Sequence, residues 1–148
     1  MGDERWKPNV TVAAVFERGG RYLLVEEASP SGPVLNNPAG HLDPGETLLQ
    51  AVVREVLEET ARVFTPTHLV GAYLAPSARG DVTYLRFAFT GAVGEPAPGR
   101  ALDSGILRTL WLTPAQIEAG RSRHRSPLLA RCIADHQAGL RYPLELLR

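Results

Sequence analysis

The chain has 148 residues, 44% apolar and 22% charged, with 16 basic side chains against 16 acidic ones. That length suits one domain, residues 1–148, whose core needs no disulfide or structural metal. Zero net charge removes any global field that would gather nucleic acid or an anionic membrane. No run approaches the ~18–20 apolar residues of a membrane helix, and MGDERWKPNV has no apolar signal core, so a cytoplasmic location is expected.

Asn9 to Phe16 reads as a strand. Gly19-Gly20 turns it into a second strand, Tyr22 to Glu26, as a hairpin. Ala28 to Pro33 is loop by composition, Val34 to Asn37 is extended, and Pro38 to Glu46 is a glycine- and proline-rich loop. Thr47 followed by Gln50 forms a capping box, so a helix starts at Leu48 and fades near Ala61. Its apolar stripe is Leu49, Val52, Val53, Val56 and Leu57.

Strands follow at Leu69 to Ala75, Val82 to Thr90 and Ile106 to Leu112, with a loop over Gly91 to Ser104. Thr113-Pro114 opens a short helix. Ser126-Pro127 opens a longer one to about Gln137, stopped by Gly139. Cys132, the single cysteine, excludes an intrachain disulfide and a cysteine-built zinc site, and its apolar-periodic surroundings make it a buried inert thiol. The pattern is mixed α and β, most strands preceding the last helices.

Between Asp43 and Glu59 stand five acids and one base, Arg54, a local charge of −4 in a neutral chain. Glu55, Glu58 and Glu59 fall at i, i+3 and i+4 and share one helical face, where like charges repel. Such a run is often a solvated helix face. Here a tight loop precedes it and the apolar stripe lies opposite, which leaves the acids free to line a cleft. A hard divalent cation would use that cluster of oxygens.

Gly40, Glu46, Arg54, Glu55, Glu58 and Glu59 match G-x5-E-x7-R-E-x2-E-E, with Val56 after the Arg-Glu pair. This resembles the signature box of the Nudix hydrolases. Six fixed identities at roughly 6–7% frequency each coincide by chance in on the order of one window in 10⁷. Ala61 and Arg62 depart from the glycine and the aliphatic residue usual at the box's end.

The resemblance implies an α/β/α sandwich with a mixed central sheet and a loop–helix–loop box. KPNVTVAAVFE, YLLVEE, NNPAGHLDPGETL, LRFAF and RSPLLARCIADHQAGLRYPLELL extend it toward one phosphatase branch of that family. Members of that branch are described as removing orthophosphate from nucleoside tri- and diphosphates. They also convert thiamine diphosphate and hydroxymethylpyrimidine diphosphate to the monophosphates. The implied protein is a monomer acting on small-molecule di- or triphosphates with Mg²⁺, Mn²⁺ being a substitute.

By the same resemblance Glu55, Glu58 and Glu59 are catalytic and metal-ligating, with a carbonyl of Ala39 or Gly40 as a further ligand. Arg54 supports the carboxylates by ion pairing, and Glu46 holds the box together. The general base is Glu55 or, from the loop before the last strand, Asp103, which is equally readable as a turn residue. His41 and Arg86 are candidate phosphate contacts, each with a plain surface reading beside it. The run Arg121, Arg123, His124 and Arg125 reads as a solvated loop or a phosphate-facing one. Tyr22, Tyr73, Phe87 and Trp111 are core residues or stacking surfaces.

Alternative activities are hydrolysis of sugar nucleotides or dinucleoside polyphosphates, or a non-catalytic ligand sensor on the same fold. An isoprenoid diphosphate isomerase needs cysteine chemistry that one helix-embedded thiol does not offer. Nucleic-acid decapping wants a basic groove that a neutral chain lacks.

Overall fold

A computed structural model describes residues 2–77 and 79–148. In chain order the elements are β1 (Asn9–Ala14), β2 (Glu17–Arg18), β3 (Arg21–Glu27), β4 (Val34–Asn36), β5 (Ala39–His41), α1 (Leu48–Thr60), β6 (Phe64–Pro76) and β7 (Thr83–Val93). They continue with β8 (Ile106–Leu112), α2 (Pro114–Ala119), α3 (Leu128–Gln137) and β9 (Tyr142–Pro143).

Five strands form a mixed sheet in the order β5-β1-β7-β6-β9, parallel only between β1 and β7. Period-two alternation divides its residues between two cores. Val12, Ala14 and Phe89 pack with Ala51, Val52 and Val56 of α1 on one face. On the other, Ala13, Val15, Tyr73 and Ala88 pack with Leu129, Cys132 and Ile133 of α3. The result is a three-layer α/β/α arrangement. A second, antiparallel sheet of β2, β3, β4 and β8 contributes Leu24 and Tyr22 to the α3 core and Leu23 to the α1 core.

The capping box of α1 forms as the sequence requires: Thr47 Oγ1 accepts from Gln50 N at 3.1 Å, and Gln50 Oε1 accepts from Thr47 N at 2.9 Å. Helix α1 ends at Thr60, with Ala61 in the left-handed region at φ 60°. The helix-ending geometry is therefore kept without the glycine that makes it easy, at a cost in backbone strain. The other departure, Arg62, turns back to donate to Gly94 O at 2.8 Å and stacks over Trp111.

Several local expectations are corrected. The Gly19-Gly20 turn closes a hairpin between β2 and β3, whereas β1 leaves for the other sheet to pair with β7. Residues 39–41, taken with the loop, form strand β5 because β1 offers them a ladder that local composition does not reveal. Strand β6 begins at Phe64, five residues before its alternation becomes clean; bulges at Pro66/His68 and Leu69/Gly71 break the period. The buried face of α1 is Ala51, Val52, Val56, Glu59 and Thr60, so it includes an acid, while Leu49, Val53 and Leu57 are half-buried.

Candidate active site

Gly40 pairs with Val12 on the α1 face of the sheet, so its Cα meets the acid helix. A Cβ there would collide with the carboxyl carbon and both oxygens of Glu55. Only glycine leaves room for that carboxylate against the strand. One residue earlier, the Ala39 N–H donates to Glu59 Oε1 at 2.7 Å. The segment Ala39–Gly40 is thus the wall against which two box acids are set.

Arg54 fixes the others. Its Nε reaches Glu46 Oε2 at 2.6 Å and its Nη2 reaches Glu46 Oε1 at 2.9 Å, a two-point fork. Nη1 donates to Glu55 Oε1 at 2.7 Å and to Glu58 Oε2 at 3.2 Å, while Nη2 also holds the carbonyl of His41 at 2.9 Å. Asp43 lies 3.4 Å from Nη2. Glu46 in turn accepts from Asp43 N at 2.9 Å and closes the loop before α1. The Arg54 hydrogen bond holds the Glu46 carboxyl below its usual range, and these acids keep the guanidinium protonated.

The sequence put Glu59 on an open face; it is instead buried, 5% exposed. Burial foremost, then the charges of Glu27, Glu55 and Asp103, push its carboxyl up to about 8, against the opposing Ala39 N–H. Burial also raises Glu55, with Arg54 opposing it and Glu58 and Asp103 adding to it. Asp103 is fastened to the helix through its N–H, which donates to Glu58 O at 2.9 Å, and its own carbonyl accepts from Ile106 N in a turn. The turn reading and nearness to the acids are therefore both true of it.

Among the described residues no three His, Cys, Asp or Glu side chains stand together as a ready-made cation cage; Arg54 draws Glu55 and Glu58 into its own ion pairs. The donor set nevertheless suits a hard divalent cation: three glutamates on one helix end, one of them buried and without a cationic partner among the described residues, beside a backbone wall kept clear by a glycine.

A cleft of about 900 Å³ opens beside this cluster, on the α3 face of the sheet. Glu55, Glu58 and Glu59 are not part of its lining; Glu59 abuts it through Ala39 and Glu55 through Gly40. Across the sheet, Tyr73, Arg86, Thr11 and His41 form one row by register, and Arg86, Thr11 and His41 line the cleft. His41 is exposed, its ring edge-on to Tyr84 at 6.4 Å. Arg86 is buried, 6% exposed, and bonds to Asn37 Oδ1 at 3.1 Å and Asn36 Oδ1 at 3.3 Å.

Of the basic run, Arg123 and Arg125 pair with Glu26 and Glu27 and staple the loop onto β3, and Arg121 pairs with Glu118. Tyr22 and Tyr73 are buried; Phe87 and Trp111 pack against the α1 core. Cys132 is fully buried, as its surroundings implied. Glu27, Asn36 and Asn37 were passed over in the sequence. A pair of carboxylates ending the apolar run of β3, and a pair of asparagines separated from Gly40 by Pro38-Ala39, were the signals available.

The NUDIX domain model matches residues 5–132, and the chain belongs to that family. It is a Nudix hydrolase of phosphoanhydride bonds, an activity that in this family goes with divalent metal ions and small-molecule diphosphates. It is 38% identical over 144 residues to the protein named phosphatase NudJ of Escherichia coli strain K12, covering 96% of this chain and 92% of that one. Among solved structures, a NUDIX hydrolase from Nitrosomonas europaea shares 51% identity at a TM-score of 0.93, over 96% of this chain and 97% of that one. The NUDIX domain of Shewanella oneidensis NrtR, complexed with ADP ribose, superposes with a TM-score of 0.72 over 92% and 90% of the two chains; at 19% identity this is a likeness of fold. Among the described residues no helix is long and apolar enough to cross a membrane.

Proposed function

We propose that this chain is a Mg²⁺-dependent phosphatase of small diphosphates and triphosphates: nucleoside tri- and diphosphates, and thiamine and hydroxymethylpyrimidine diphosphates. It would release orthophosphate and act as a cytoplasmic monomer. The observation that carries the reading is that Arg54 holds Glu55 and Glu58 while the Ala39 N–H holds Glu59, with Gly40 leaving room for Glu55. Its substrate class is supported by the 38% identity to phosphatase NudJ across nearly the whole chain.

In this reading Glu55, Glu58, Glu59 and a carbonyl of Ala39 or Gly40 hold the cation. Bound Mg²⁺, or Mn²⁺ in its place, screens phosphate charge and acidifies water. Arg54 orients Glu55 and Glu58, and Glu46 anchors Arg54. A water oxygen adds to phosphorus, the bridging P–O bond breaks, and its electron pair leaves on the departing phosphate. Glu55 takes the water's proton, with Asp103 as the second candidate for that role. His41, exposed at the cleft, contacts the outer part of the substrate.

The test is a purified-enzyme panel with and without Mg²⁺, covering nucleoside di- and triphosphates, thiamine diphosphate, sugar nucleotides and dinucleoside polyphosphates. Orthophosphate from the first two groups is expected. Pyrophosphate from triphosphates, or turnover confined to sugar nucleotides, overturns the substrate class; no turnover of any compound overturns the enzyme reading. A pH–rate comparison of Glu55→Gln with Asp103→Asn identifies the base by which variant loses turnover.

A further inference from the structure

Arg86 is a buried cation with no carboxylate within ion-pair distance among the described residues. Its Nη1 and Nη2 rest on the side-chain oxygens of Asn37 and Asn36, both neutral, and Nη1 stands 4.0 Å from Cys132 Sγ. Burial holds that thiol protonated, so it supplies no counter-charge. Nε has no hydrogen-bond partner among the described residues. A guanidinium carries five N–H donors, so this one keeps both charge and donors in reserve.

Keeping such a group out of water is costly, and a cost of that kind is tolerated where a site needs it. Arg125, at the mouth of the same cleft, is neutralised by Glu27, and Arg79 is exposed. Asp81, the other acid on the lining beside Glu27, is exposed like Arg79, so Arg86 is the buried charge on the cleft wall. Asn37 and Ala39 lie two residues apart, at most ~7 Å along the chain. One side of this short segment holds Arg86 and the other holds Glu59.

We propose that Arg86, seated on Asn36 and Asn37, is the anion receptor that holds the second phosphate of the substrate while the first is hydrolysed beside Glu55, Glu58 and Glu59. The inference rests on the diphosphatase reading and adds the group that sets its selectivity: the site takes a compound with two adjacent phosphates, and the guanidinium fork binds the one that stays on the organic product. A monophosphate ester fills only one of the two places and is a poor substrate.

The first test is calorimetric titration of inorganic pyrophosphate into the metal-free protein in EDTA. Wild type binds, Arg86→Gln binds at least tenfold more weakly, and Arg86→Lys falls between them. With a diphosphate substrate and Mg²⁺, Arg86→Gln raises KM about 10- to 100-fold with a smaller change in kcat, the mark of a binding group. Asn36→Asp keeps the arginine but gives it a carboxylate, so it loses pyrophosphate affinity while its Tm holds or rises. This variant keeps the proposal testable if Arg86→Gln folds poorly. Wild-type pyrophosphate affinity in Arg86→Gln or in Asn36→Asp overturns the receptor, even when wild type hydrolyses diphosphates. If wild type hydrolyses nothing yet pyrophosphate binding still depends on Arg86, the receptor stands and only the reaction reading falls.

Discussion

Two arginines serve the two ends of this site in opposite ways. Arg54 lies within reach of four carboxylates, those of Asp43, Glu46, Glu55 and Glu58. Among the described residues Arg86 has as its side-chain partners two amide oxygens and a neutral thiol. The first has spent its charge inside the protein and acts as a clamp; the second has kept its charge for something that is not protein. Excess negative charge gathers on one side of the Asn36–Gly40 segment and unspent positive charge on the other. A metal-bound diphosphate needs that polarity.

The largest effect that sharpens this contrast is expected at the acid end. Glu58→Gln and Glu59→Gln should each lower kcat by roughly 10²- to 10⁴-fold at saturating Mg²⁺, followed as orthophosphate release. Near wild-type turnover in both would remove these side chains from the chemistry.

Next is the effect of pH on the metal-free protein. The Glu59 carboxyl is raised from its unfolded value to about 8, so the folded state holds that proton more tightly than the unfolded chain. Folding stability from this group is complete below about pH 4.5 and is lost as pH rises toward about 8, by on the order of a few kcal/mol. Urea midpoints in EDTA at pH 5 to 8 should fall for wild type relative to Glu59→Gln. Parallel curves would break the picture of a buried, unpaired acid.

The two arginines should then part in stability. Arg54→Gln abandons three packed carboxylates and should cost about 1–3 kcal/mol in denaturant unfolding. Arg86→Gln should leave the ligand-free protein near or above wild-type stability, since it removes an uncompensated charge. An equal loss in both would make Arg86 a second clamp.

The smallest effect belongs to the end of the acid helix. Ala61 holds a left-handed conformation, and Ala61→Gly should stabilise by about 0.5–1 kcal/mol, a rise of ~2–4 °C in Tm. A fall in Tm would mean that the buried methyl group outweighs the strain.

The acid end was legible in the sequence because its logic is local. A capping box places Leu48 at the helix start, and a helical repeat then puts Glu55, Glu58 and Glu59 on consecutive turns whatever the rest of the chain does. The family resemblance implied that Arg54 pairs with the carboxylates, and its four partners all lie within the same 17 residues. The burial of Glu59 was not, because an acid beside an apolar stripe reads as solvated until strand β5 is laid against it. Strand β5 itself was hidden, since three residues of AGH carry no pattern and become a strand only through β1.

The sequence alone determined the helix, its N-cap and the shared face of its acids, because those features join residues a few positions apart. Tertiary structure alone decided the other half of the site. Arg86 is 49 and 50 residues from the asparagines it rests on and 46 from the thiol beneath it, and its place between solvent and cleft depended on which face of β7 met α3. A charge is costly or free according to what surrounds it, and those surroundings come from parts of the chain that meet only when the sheet closes.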